Sequence, residues 1–282
     1  MSGAEAGNPK SIVWKLTLCY DGSPYAGWQV QPGLPTVQGE LAAAIRRVTG
    51  EAVLPQGSGR TDAGVHALGQ VASCALTAPI PPANLLRALN HTLPRSIRVI
   101  EAKTASDAFH ARHSAAAKTY EYRVWRAGFC PPWTAPYVYA FDFPLSLERL
   151  HAAAGHFVGT HDFLSFQAQN PDRSERGRAE EAAERTTIRT IFASAWEQPS
   201  AELLVYRVRG SGFLHHMVRN LVGTCLSAGR GLIAPEAIPG ILAARARTAA
   251  GPTAPASGLW LHSVTYEDHA HEQVPNTPAM LR

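Results

Sequence analysis

A chain of 282 residues has room for one large domain or two ordinary ones, with a sizeable core. Its 45% apolar and 17% charged residues exclude a disordered chain, and no apolar run approaches the roughly 20 residues that a membrane span requires. The net charge of +4 permits a nucleic-acid partner without demanding one.

The first residues, 1–11, hold no apolar segment of the kind a signal peptide needs and read as a disordered tail. Ile12, Trp14, Leu16, Leu18 and Tyr20 then alternate with Val13, Lys15, Thr17 and Cys19, the period of a strand with one buried face. Asp21-Gly22-Ser23-Pro24 breaks it. Thr36 is placed to cap a helix whose Val37, Leu41, Ala44, Ile45 and Val48 form one stripe, with Gly50 ending it. A glycine-rich loop from Gly57 follows, then a strand from Gln70 to Leu76. Pro81 and Pro82 open a helix that runs through Leu93, and Ile97 to Lys103 reads as a strand.

The second half repeats this grammar. Tyr120, Tyr122 and Val124 alternate with Thr119, Glu121 and Arg123 in a strand, and a helix begins after Ser146 and runs to about Val158. Strands follow at Thr187 to Glu197 and Leu203 to Arg209, a helix at His215 to Ala228 ending at Gly229, and a last strand holding Leu259, Leu261 and Val264. These elements do not alternate as repeated βαβ units, so the fold class is α+β, two similar halves at 12–115 and 116–266 with mainly antiparallel sheets. The remainder, 267–282, reads as a tail. The stretch 170–184 carries eight charged residues and only alanines as apolar ones, which predicts a mobile surface loop whose run Ala179 to Arg185 could fold against a partner.

Cys19, Cys74, Cys130 and Cys225 are scattered with no CxxC pair, which argues against a zinc site and a disulfide framework and makes a reduced, cytoplasmic setting the default. Only Lys10, Lys15, Lys103 and Lys118 are lysines, so 22 of the 26 basic residues are arginine. Arginine suits phosphate forks and base stacking, although a GC-rich genome yields the same bias.

Chemistry concentrates in Gly57-Ser58-Gly59-Arg60-Thr61-Asp62-Ala63-Gly64-Val65-His66-Ala67. Gly57, Gly59 and Gly64 let the backbone take positive φ and let a bulky ligand come close, while Arg60 can keep Asp62 ionised where water is scarce. The plainer alternative is a tight turn whose Asp caps a helix. Four further segments stand out: Phe109-His110-Ala111-Arg112-His113, Lys118-Thr119-Tyr120-Glu121-Tyr122, Gly212 to Asn220 with FLHHMVRN, and Ala254 to Leu261 with APASGLWL. Adjacent His215 and His216, placed on a helix, would point about 100° apart and not chelate together, and no HExxH spacing is present.

In order along Ile12 to Tyr266, these five blocks resemble the TruA family of tRNA pseudouridine synthases. The resemblance implies the pseudouridine synthase fold, with an extended central sheet and an active-site cleft, and isomerisation of uridines at positions 38, 39 and 40 of the tRNA anticodon stem-loop. It implies Asp62 as the catalytic residue and Arg219 as its counter-ion beside Arg60. Tyr120 would pack on the target base, and Leu259 or Leu261 would lie against the uracil. Phe109, His110, Ala111, Arg112 and His113 would contact tRNA near the target, and Arg185 would touch tRNA elsewhere. From pattern alone, Tyr120 reads equally well as a core tyrosine and Arg219 as a solvated helix arginine. His113 stands where the family usually has an aromatic ring, and 170–184 is longer than its norm.

The reaction makes and breaks bonds to carbon without redox change or phosphoryl transfer, so no cofactor or metal is expected. The family works as a homodimer, and two chains would pool a modest positive charge. A non-catalytic tRNA-binding protein or chaperone on the same fold is the competing reading. Asp62 weighs against it, because an acid facing phosphates repels RNA. A metal-dependent hydrolase is poorly served by 12 dispersed histidines.

Overall fold

The computed structural model describes residues 11–168 and 186–266. The expected tails (Ser11 apart), the charged loop 170–184 and Arg185 lie outside the described residues. The chain divides after Ala115 into two compact units.

The first unit holds β1 (Ile12–Tyr20), α1 (Val37–Thr49), β2 (Gln56–Gly57), β3 (His66–Leu76), α2 (Pro82–Thr92) and β4 (Ile97–Thr104). Its strands lie in the order β4-β1-β3, with β2 on β3, and every pairing is antiparallel. The alternation in β1 is realised: Trp14, Leu16, Leu18 and Tyr20 are at most 3% exposed, while Val13, Lys15, Thr17 and Cys19 are half-buried on the other face. The buried face meets the helical layer, in which α1 packs on α2 and α2 on β4. Thr36 caps α1 by accepting the Gly39 amide, and Gly50 ends it in left-handed backbone at φ 79°. Asn90 of α2 clamps Val99 of β4 through both backbone groups, at 2.7 and 2.8 Å.

The second unit holds β5 (Ala115–Trp125), β6 (Tyr139–Ala140), α3 (Leu147–Gly155), β7 (Gly159–Asp162), β8 (Ile188–Glu197), β9 (Leu203–Gly210), α4 (Met217–Gly229), α5 (Ile238–Ala244) and β10 (Leu259–Tyr266). Strand order is β10-β5-β9-β8-β7; β5, β9, β8 and β7 pair antiparallel in succession, and β6 joins β5 in parallel. In α4 every residue but Arg219 is buried, so the helix runs through the core rather than over it. That location explains Gly223, where a Cβ would lie 2.8 Å from the Pro252 carbonyl carbon. Tyr122, Tyr206, Phe157, Phe163 and Phe166 fill the rest of the core.

The fold class is the expected mixture of helices and largely antiparallel strands. Several boundaries differ. β3 begins at His66, four residues before Gln70, so the end of the glycine-rich stretch is strand. α3 stops at Gly155 rather than Val158. α4 starts at Met217, because His216 sits in left-handed backbone at φ 57° and cannot continue a helix backwards. The short β2, β6, β7 and α5 have no counterpart in the sequence reading.

Candidate active site

The loop that carries Asp62 is built from the first unit's own strands. Ser58 donates its amide to the Val71 carbonyl at 2.7 Å and its hydroxyl to Gln70 Oε1 at 2.7 Å, while Gln70 Nε2 donates to the Gly59 carbonyl at 2.9 Å. The Thr61 carbonyl accepts from the Trp28 amide at 3.0 Å, and its hydroxyl lies 2.8 Å from the Tyr20 hydroxyl. Beyond Asp62, the Gly64 amide donates to Tyr25 and the Val65 amide to the Asp62 carbonyl, at 3.3 and 3.1 Å. Asp62 is therefore a half-buried side chain on backbone that is fixed from both sides. Arg60 is exposed.

Tyr20 is fully enclosed: burial, only partly relieved by Thr61 and Gln70, pushes its phenol up to about 12, so it stays neutral. His66, with no exposed surface, accepts the Gly22 amide on Nδ1 at 3.0 Å. A nitrogen that accepts cannot donate, so the 3.3 Å approach of Asp21 to the same Nδ1 is not a charged pair.

Of the three glycines expected to need positive φ, only Gly64 uses it, at 76°. Gly57 is needed for space: a Cβ there would fall 2.5 Å from Cε2 of the Trp28 indole. The reason for glycine thus differs from position to position.

In the second unit, Tyr120 is 7% exposed and meets Phe213 edge-on at 5.0 Å and 81°. Arg219, half-buried, donates Nε to the Ala254 carbonyl at 2.7 Å, and its own carbonyl accepts the Ala254 amide at 3.1 Å. This exchange ties FLHHMVRN to APASGLWL. The Tyr122 hydroxyl adds a bond to the Pro255 carbonyl at 2.8 Å, and a Cβ at Gly258 would fall 2.7 Å from the Tyr122 ring. Leu261 has no exposed surface and Leu259 keeps 6%, so Leu259 is the one with a surface to offer a ligand. His215 and His216 precede α4 with ring centroids 3.9 Å apart, so the helical-spacing argument against joint action does not hold for this chain.

The segment Phe109 to His113 is irregular and ends in a turn. Ala111 is fully buried and donates its amide to Ser73 Oγ at 3.0 Å, which makes it an anchor rather than an RNA contact. His110 Nδ1 accepts the Arg112 and His113 amides, and the two imidazoles lie 4.3 Å apart. Phe109, His110 and Arg112 are half-buried and His113 is exposed.

The sequence reading missed a buried ionic cluster on the face of β5 opposite Tyr120. Glu121 takes Arg207 Nη2 at 2.6 Å, Arg123 Nη2 at 3.4 Å and His262 Nε2 at 3.5 Å, and Arg207 also reaches Glu197 at 3.0 Å. Burial would raise the Glu121 pKa, but Arg207, His262 and Arg123 outweigh it and hold the carboxyl below its usual range. Burial, opposed by Glu121 and aided by Arg207 and Arg123, holds His262 below the usual imidazole range. The signal was present, since alternation in KTYEYR places Glu121 and Arg123 on one face.

Similarity to known proteins supplies the class, that of the pseudouridine synthases, and its branch. The sequence profile described as tRNA pseudouridine synthase matches residues 18–114 and 153–267. The chain belongs to the tRNA pseudouridine synthase family, whose members are isomerases. It is 48% identical over 253 residues to the tRNA pseudouridine synthase A of Solibacter usitatus (strain Ellin6076), a match that covers 89% of this chain and 98% of that one. The tRNA pseudouridine synthase A of Moorella thermoacetica is 44% identical, over 89% of this chain and 98% of its own. That of Bacillus subtilis (strain 168) is 41% identical, over 90% and 99%. Among the described residues, no helix is long and apolar enough to cross a membrane.

Proposed function

We propose that this protein isomerises uridine to pseudouridine at positions 38, 39 and 40 of the tRNA anticodon stem-loop, with Asp62 as the catalytic carboxylate. The observation that carries the reading is the bracing of the Asp62 loop through Ser58, Thr61, Gly64 and Val65. A carboxylate held in place before substrate arrives needs little reorganisation to reach a ribose carbon or a uracil ring.

In the reaction the bond from ribose C1′ to uracil N1 breaks and a bond to C5 forms. The C5 proton leaves and N1 gains one, so nothing is oxidised or reduced. Asp62 acts as nucleophile or base in this exchange, and Arg60 and Arg219 take the counter-ion role. Tyr120 packs on the uracil, Leu259 walls the base, and Arg112 with its neighbours engages the RNA. The enzyme works without cofactor or metal, as a cytoplasmic homodimer.

The test is pseudouridine mapping on an unmodified tRNA transcript with uridines at 38, 39 and 40, with no cofactor or metal added. Wild type converts these uridines, and Asp62→Asn binds the tRNA but converts none. Substantial turnover by Asp62→Asn removes Asp62 from the mechanism. Salt-sensitive tRNA binding by wild type without conversion favours a binding protein.

A further inference from the structure

The direction of the Arg219 guanidinium depends on a stretch of chain with no regular structure of its own. Its Nε donates to the Ala254 carbonyl at 2.7 Å. Because the group is planar, the carbonyl that holds Nε also sets where Nη1 and Nη2 point. Ala254 lies in the irregular segment 251–255, between the exposed Pro252 and Pro255, neither of which has an amide to donate. The bonds that fix this segment come from outside it.

Arg247, half-buried at the start of a 3-10 turn (Arg247–Ala249), supplies most of them. Its Nη1 donates to the Gly251 carbonyl at 2.9 Å and to that of Ala250 at 3.4 Å. Its Nη2 donates to Asn220 Oδ1 and to Thr253 Oγ1, both at 3.0 Å. The Thr253 hydroxyl gives its own proton to Asn220 Oδ1 at 2.7 Å, which closes a ring of three side chains. Asn220 has no exposed surface, and its Nδ2 donates to the Phe166 carbonyl at 2.7 Å, so the ring is anchored in the core of the second unit. Thr224 adds a second tie, taking the Gly251 amide at 3.0 Å while its hydroxyl donates to the Asn220 carbonyl at 2.8 Å. Both N–H groups of Nη1 and both of Nη2 on Arg247 are spent within the protein, which leaves those nitrogens nothing to donate to a phosphate. A single ammonium nitrogen cannot occupy both positions, so lysine is no substitute here.

We propose that Arg247, Asn220 and Thr253 are positioning residues for the isomerisation: they hold the Ala254 carbonyl in place and through it aim Arg219. They act through Arg219 and not on the RNA. The proposal deepens the reading above and rests on Arg219 as counter-ion.

Single-turnover conversion of an unmodified tRNA transcript, with enzyme in excess, tests it beside equilibrium binding across a salt series. A damaged fold lowers the active fraction and hence the amplitude, whereas a misaimed Arg219 lowers the rate constant. Thr253→Val keeps the shape and loses the hydroxyl; its rate constant falls about tenfold with Kd unchanged, and Thr253→Ser restores it. Arg247→Lys and Arg247→Gln both slow conversion about 30-fold, and neither alters the slope of log affinity against log salt. In an Arg219→Lys background, itself slow, Thr253→Val lowers the rate less than about twofold further, because the aim no longer depends on Ala254. An equal loss in both backgrounds overturns the proposal, as does a wild-type rate in Thr253→Val or Arg247→Lys. A slope reduced by about 0.7–0.9 in Arg247→Gln makes Arg247 a phosphate contact and also overturns it. Arg219→Lys converting as fast as wild type overturns the counter-ion reading, and this proposal with it. Wild type that converts no uridine overturns the tRNA reading beneath both.

Discussion

Glu121→Gln removes one negative charge from a cluster that water hardly reaches. The Glu121 side chain is 3% exposed, Arg123 8% and His262 6%. Arg123 is further enclosed by the Trp260 ring, 4.3 Å from its guanidinium carbon. With glutamine in place, Arg123 keeps its charge but loses its carboxylate, and it cannot recover hydration without opening the sheet. Breaking a buried pair in this way costs about 3–5 kcal/mol. Arg207 belongs to the same cluster but is 37% exposed and retains Glu197, so its share is largely recovered in water. The expected loss is therefore at the lower end, about 3 kcal/mol. Guanidinium unfolding followed by tryptophan fluorescence reads it directly, since Trp260 lies within the cluster. The double variant Glu121→Gln with Arg123→Met closes the cycle with Glu121→Gln and Arg123→Met alone, and should be less destabilised than those two single variants together. A loss under about 1 kcal/mol for Glu121→Gln, or strict additivity in the cycle, would refute the claim that these charges are coupled in a dry site.

The same cluster sets an acid limit. His262 and Glu121 both have folded-state pKa values below their unfolded ones, near 6.5 and 4.5, so each binds fewer protons when folded. Stability from His262 is complete above about pH 6.5 and declines below it, and that from Glu121 declines below about pH 4.5. His262→Gln should flatten the first decline in melting temperature against pH; an unaltered profile would exclude His262 as its source. Gly57→Ala drives a methyl into the Trp28 indole, displaces the Trp28–Thr61 bond and should slow isomerisation by up to about 100-fold in a protein that still folds. Normal turnover would mean that Trp28 does not brace the loop. Gly223→Ala meets the Pro252 carbonyl and should cost about 3 kcal/mol in denaturant unfolding; a cost near zero would show that the approach of the Pro252 loop to α4 is loose. Tyr20→Phe deletes the bond to Thr61 and should cost about 1 kcal/mol, read in the same assay, with no cost expected only if Thr61 finds another partner.

What could be read from the sequence was whatever local chemistry determines. β1 follows from strict alternation, and α1 from Thr36 and Gly50, because each signal lies within the element it specifies. The two-residue strands β2 and β6 carry no such signal: they exist because β3 and β5 offer them an edge, which is a property of distant residues. α5 is seven residues long with Pro239 and Gly240 inside it, and its pattern argues against a helix that tertiary packing nevertheless supports. In the Asp62 loop, the glycines that let the chain turn were legible in the residue string, whereas the bracing was not. Tyr20, Trp28 and Gln70 come to the loop from other segments, and nothing in a local window couples them to Thr61, Gly59 or Ser58. Glu121 was hidden differently: its partners Arg207 and His262 come from β9 and β10, far along the chain from β5.

A segment with three glycines in eight residues is ordinarily where a chain opens first and exchanges its amide protons fastest. Here the amides of Ser58, Gly64 and Val65 are all donated to carbonyls, and two of those acceptors, Val71 and Tyr25, belong to other parts of the first unit. Opening the loop therefore means opening the sheet edge with it, and its protons should exchange on the slow timescale of β3 rather than that of a surface turn. A loop that slow has no conformation in which to wait. Under the proposed role of Asp62, control over the reaction then falls to whatever admits RNA to that carboxylate, and not to movement of the carboxylate itself.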